Sequence, residues 1–257
     1  VGKWSAFPHP GEFDLDAAEV RRQWAVLHAG DAEPLPTDEG VLQAWTHYHR
    51  GEFQKAVEVG LQAGGAGVTA ANKATCIYAT YLEKKEKAKL DLFLEAAQRA
   101  QAQALREPHN ATAWYLHGYA LGRYSQGISV ARALAQGLGG TVKESLERAM
   151  KLRPRLADAH IALGAFHAEV IDKVGALIGG MTYGAKKETG LKLFQEALRL
   201  NPHSAIALIE YANGLVMLEG ESRLADATAL YEQAAAIRPV DATERLNVAL
   251  AQAELQE

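Results

Sequence analysis

The chain has 257 residues, 48% of them hydrophobic but only 7% aromatic, a formal net charge of −4 and one cysteine. Its apolar content is therefore largely Ala and Leu, residues that favour helix and let helices approach closely. The charge supplies no basic stripe for nucleic acid, the lone Cys76 excludes an intrachain disulfide or a thiolate metal cluster, and no run of 18 apolar residues exists to span a membrane.

Residues 1–14 carry two prolines and three aromatics without helical period, which predicts an extended arm with Trp4, Phe7 and Phe13 tacked onto the first helices. The chain opens at Val1 with neither an initiator Met nor a secretory signal, so an upstream segment is expected to have been removed. A mature, exported, periplasmic bacterial protein is the expectation, with a cytoplasmic one as the alternative. Residues 15–30 read as one helix with Val20, Trp24 and Leu27 on one face, ended by Gly30. After the linker DAEPLP, Thr37 is the expected N-cap of a helix bearing Val41, Trp45 and Tyr48 at i, i+4 and i+7. Gly51, Phe53 and Ala56 then fit a turn between paired helices, which makes residues 37–63 a first, proline-free repeat. A GGAG linker precedes a long pair over roughly 68–107, whose EKKEKAK stretch reads as a solvated turn because Glu83 and Glu86 interleave its lysines. Cys76 falls in the apolar run TCIYATYL and reads as a buried small hydrophobe.

From there the prolines set the frame. Pro108, Pro154, Pro202 and Pro239 close the similar runs AQALREP, ERAMKLRP, QEALRLNP and EQAAAIRP. Five residues before them stand Gln103, Ala149, Ala197 and Ala234, and eight before stand Ala100, Leu146, Phe194 and Tyr231. Ten residues after the first three come Gly118, Gly164 and Ala212; six after come Trp114, His160 and Leu208. Small residues at fixed places admit a neighbouring helix, a bulky one a turn away fills the gap, and proline ends the second helix.

This alternation resembles the tetratricopeptide repeat (TPR), an antiparallel helix pair of 34 residues stacked into a right-handed solenoid. The resemblance implies an all-α, TPR-like right-handed helical solenoid. Its divisions would be an N-terminal arm and helix over 1–36, repeats over 37–241 and a capping helix over 242–257. About four to five helix pairs, eleven to thirteen helices in all, are expected. Pro108, Pro154 and Pro202 lie 46 and 48 residues apart, so the two central repeats carry extra residues near 124–141 and 170–187. Both insertions are rich in Ala, Leu and Gly, share an AL…G…GG core, and place Leu134, Leu138, Val174, Leu177, Ile178, Met181 and Tyr183 where bare exposure would leave a large apolar patch. They are expected to converge on one side of the solenoid and to pack on it, on another subunit, or around a cavity.

Long pairs with apolar insertions are also similar to two narrower groups, over about residues 70–240. One is the T component of tripartite (TRAP-type) transporters, a periplasmic lipoprotein with a hydrophobic pore, whose lipid-box cysteine has no counterpart in this sequence. The other is the helical domain of the regulator-of-microtubule-dynamics family. The matching residues are Ala113-Trp114-Tyr115, Glu147 to Pro154, and Tyr183-Gly184 leading into Phe194 to Pro202.

No catalytic signature accompanies this pattern. A G-x-S-x-G elbow and a phosphate-binding G-x-x-x-x-G-K-[ST] loop are missing, and Gly137-Leu138-Gly139-Gly140 follows a helix rather than a strand. His160 and His167, seven apart, share a helix face, and His47 and His49 stand two apart, but no acid or cysteine completes a ligand set at a spacing such as H-E-x-x-H. A non-enzymatic protein without metal or cofactor is expected, either a scaffold for a protein or peptide or a carrier of an apolar small molecule or lipid. In the TPR family the concave groove is lined by the first helix of each unit. Carried onto this chain, that lining is Thr112, Tyr115, Tyr119, Arg123, Asp158, Ile161, Glu169, Ile206, Ile209, Asn213 and Met217.

Overall fold

The computed structural model describes residues 3–256; Val1, Gly2 and Glu257, which fall in the expected arm and capping helix, lie outside the described residues. Among the described residues there are fifteen α-helices, one 3-10 turn and no strand. The excess over thirteen has a local cause at each place. The first expected helix breaks at Gln23 into α1 (Ala17–Arg22) and α2 (Trp24–Leu27), because Trp24 turns inward to stack on His28 and donate its indole N–H to the Glu33 carbonyl at 2.7 Å. Both insertions also form short helices of their own.

Five antiparallel pairs follow: α3 (Glu39–His49) with α4 (Phe53–Ala63), α5 (Gly67–Tyr81) with α6 (Glu86–Arg106), and α7 (Ala111–Gln126), across the short α8 (Val130–Ala135), with α9 (Leu138–Leu152). Next come α10 (Ala157–Val174), across the short α11 (Ala176–Tyr183), with α12 (Lys187–Leu200), and α13 (Ala205–Glu219) with α14 (Leu224–Ala235). A last helix, α15 (Ala242–Glu254), packs on α13 and α14. Helix starts follow capping chemistry: Asp38, Asn110, Ser204 and Asp241 each accept from a backbone N–H three residues on. Asp38, and not Thr37, therefore caps α3.

The small residues sit at the closest crossings. Ala149 and Ala197 are fully buried, as are Ala100 and Ala234. The Phe194 ring, itself without exposed surface, is wedged between Gly164 of α10 and Gly214 of α13. A Cβ at Gly164 would stand 2.9 Å from that ring, and one at Gly214 would be closer still, so only glycine lets three helices share one phenyl group. Gln103, in the place of those alanines, is fully buried and donates to the Gly65 carbonyl at 3.2 Å and to Thr69 Oγ1 at 3.0 Å. Trp114 is half-buried under Arg148, whereas His160 is buried and bonds the Leu156 carbonyl at 2.9 Å.

The two ends of the chain meet. Ala242 and Leu246 of α15 join the N-terminal core of Val20, Trp24, Leu42 and Trp45. Tyr81 donates to Asn247 at 2.5 Å, Asp241 pairs with His49 at 2.7 Å, and Arg245 reaches Glu12 at 3.3 Å. The N-terminal arm adds to the seam through Trp4, which stacks on Tyr78 of α5 at 4.0 Å instead of on the first helices, and Phe7, seated under Gly51. Phe13 packs on the edge of the N-terminal core. The helix pairs thus close into a ring whose terminal faces cap each other.

Candidate functional site

Where the ends meet, a half-open cavity of about 500 Å³ is lined by one face of each first helix. Along α10 the lining residues include Asp158, Ile161, Phe166, Glu169 and Val174, a helical stripe that makes the cavity run roughly 24 Å along that helix. Near the N-terminus of α10 the walls are polar, with Lys73, Asp158, Asp241 and Glu244; near its C-terminus Val170, Val174 and the insertion residues stand beside Gln126, Glu169 and Lys173.

Seven of the eleven groove residues line this cavity: Tyr115, Tyr119, Arg123, Asp158, Ile161, Glu169 and Ile206. Four do not. Thr112 is fully buried and donates to Glu33 at 2.5 Å, because the segment after α2 lies over the N-terminus of α7. Ile209 is buried in a core shared with Val248 of α15, Asn213 accepts from the Tyr231 hydroxyl at 2.8 Å, and Met217 faces outward. On α13 the capping helix thus claims part of the face assigned to the groove. From the insertions, Leu134, Val174 and Tyr183 line the cavity and Leu138 is buried in the core. The insertions touch where Tyr183 crosses Gly139, whose absent Cβ would lie 2.7 Å from the ring. Leu177, Ile178 and Met181 instead are 76%, 57% and 82% exposed, an apolar patch on α11 that this chain leaves uncovered.

Sequence reasoning missed the charged seam beside the cavity. Four buried side chains run from one chain end to the other: Asp241 to His49 at 2.7 Å, His49 Nε2 to His28 Nε2 at 3.1 Å, and His28 Nδ1 to Asp31 at 2.9 Å. The two Nε2 atoms face each other across one hydrogen bond. Burial pulls His28 down to about 4 despite Asp31, which favours its neutral ring. Burial opposes the Asp31 charge, but His28 and Lys73 hold that carboxyl well below the usual range. Lys73 sits 2.5 Å from Asp31 and 3.6 Å from Asp158; burial works against its charge, yet these carboxylates, with Tyr48, hold it above the usual lysine value. Ala32, between Asp31 and Glu33, takes a left-handed φ of 50°, the strained turn that aims both acids inward. The Lys73 and Glu210 charges, each within an apolar helical stretch, were the available sequence signal; His28 and Asp31, on a loop, offered none. Among the described residues, no group of three or more His, Cys, Asp or Glu side chains is arranged to hold a metal ion. Cys76 is buried, and burial pushes its thiol up to about 12.

No family model matches the sequence, and no curated protein matches it either. Among solved structures, the chain is similar to a thermophilic TPR protein of Thermus thermophilus, with 17% identity and a TM-score of 0.58. That alignment covers 84% of this chain and 98% of the other. This chain has a TPR-type fold. No described helix is long and apolar enough to cross a membrane.

Proposed function

We propose that this TPR protein is a non-enzymatic binding module that holds a small molecule with an apolar body inside its ring. The observation that carries the reading is the meeting of the chain ends: α15 meets α3, and residues 28–33 cover the N-termini of α7 and α10, so the inner face forms a half-open cavity of about 500 Å³. Extended peptides call for an open groove several residues long, whereas a cavity of this volume, mostly apolar with a few convergent polar groups, suits a small ligand. Native mass spectrometry of the protein purified from its own organism tests this. A non-covalent adduct of small-molecule mass on the folded chain is the expected result, and a ligand-free chain that retains a protein or peptide partner would overturn it. The scaffold reading keeps one observation in its favour, the exposed Leu177, Ile178 and Met181 on α11, which a protein partner would cover.

A further inference from the structure

Resting on that reading, we propose that the ligand is an organic cation, with an ammonium-type head among Tyr81, Tyr115 and Glu244 and a hydrocarbon body extending toward the insertion helices. The cations that line the cavity beside its acids are already matched, Lys73 by Asp31 and Asp158, Arg123 by Glu210 at 2.8 Å and Lys173 by Glu169 at 3.8 Å, while Arg238 is exposed. Glu244 has no such partner. Its carboxylate accepts only from the Ala205 N–H at 2.8 Å and the Asn247 amide at 3.1 Å, while Asp241 and Asp158 stand nearby. Burial accordingly raises Glu244 to about 7 and raises Glu169 and Asp158 as well. Glu244 is thus the lining acid without an ion-pair partner among the described residues, and an incoming cation would pair its charged form.

The aromatic lining points the same way. Tyr119 already carries the Arg123 guanidinium over its ring at 5.3 Å, and Tyr48 carries Lys73 at 5.8 Å. Tyr81 and Tyr115 both neighbour Tyr119 and hold no cation over their faces among the described residues. Tyr115 is 7% exposed and lines the cavity. Its ring and hydroxyl are therefore available to a ligand in the cavity. Electron-rich ring faces near carboxylates, Tyr81 near Glu244 and Tyr115 near Asp158, select a cation over an anion of the same size.

A chain-matched series separates the head from the body: octylammonium, octanoate and octanol, each titrated calorimetrically into the full chain at pH 8 below micellar concentrations. The ammonium is expected to bind at least tenfold more tightly than octanoate, with octanol between them. Glu244→Gln and Tyr115→Phe are each expected to weaken the ammonium at least fivefold and to leave octanol unchanged, with helical circular dichroism intact. Octanoate binding as tightly as the ammonium, or both variants leaving the ammonium unaffected, would overturn the cation assignment while the cavity reading stands. Failure of all three probes to bind would overturn both.

Discussion

Burial holds the Glu33 and Glu244 carboxyls up to about 7, and the His28 and His167 rings down to about 4. These shifts act on stability with opposite sign. A carboxyl whose folded value lies above its unfolded one favours the fold when protonated, so the fold gains stability as the pH falls from about 7 toward the unfolded value near 4.5. A histidine whose folded value is depressed favours the fold when neutral, so stability is lost as the pH falls from about 6.5 through about 4. Over the shared window the two pairs offset one another, and the thermal midpoint should change little between pH 7 and pH 5. Glu244→Gln removes one of the compensating carboxyls. Its midpoint should drop on acidification across that window by the equivalent of about 2 kcal/mol relative to the parent chain. Scanning calorimetry at pH 7, 6 and 5 reads the difference, and parallel curves for the two proteins would contradict the assignment of Glu244 as a buried, unpaired acid.

Among the elements, the later helix pairs were legible in the sequence because the last three second helices each carry a small residue, Ala149, Ala197 or Ala234, five positions before a proline. Ala149 and Ala197 occupy two helix crossings with no exposed surface. Enlarging either to Leu should cost roughly 1–3 kcal/mol, measured by thermal unfolding. The insertions were legible as apolar segments, but their burial was not, since an apolar side chain on a short helix records no direction. Leu138 opens α9 and points into the core, whereas Leu177 and Met181 on α11 stand in solvent. Arginine should therefore be tolerated at Leu177 and at Met181 to within about 0.5 kcal/mol, because no buried contact is lost. The same change at Leu138 should cost about 3 kcal/mol or more by burying an unpaired charge. Unfolding or dissociation caused by Leu177→Arg would mean that another surface covers α11 in solution.

For the whole molecule, closure was the feature least visible in the sequence. Repeat periodicity records contacts between neighbours, and it carries nothing about His49 meeting Asp241, 192 positions away, or Tyr81 meeting Asn247. Closure nevertheless governs how the fold should respond to damage. In an open solenoid a lost terminal helix weakens only the repeat beside it, because each repeat touches its neighbours alone. Here α15 packs on α13 and α14 at one side, while its Ala242 and Leu246 also complete the N-terminal core around Trp45. Removal of residues 242–257 would take Leu246, Asn247 and the stretch beside Asp241 from that core together. Amide hydrogen exchange should then quicken in α3 and around Tyr81 as well as in α13 and α14, while α9 and α12 keep their protection. A response confined to α13 and α14 would mean that the ends do not hold each other in solution, and that the cavity opens into a groove.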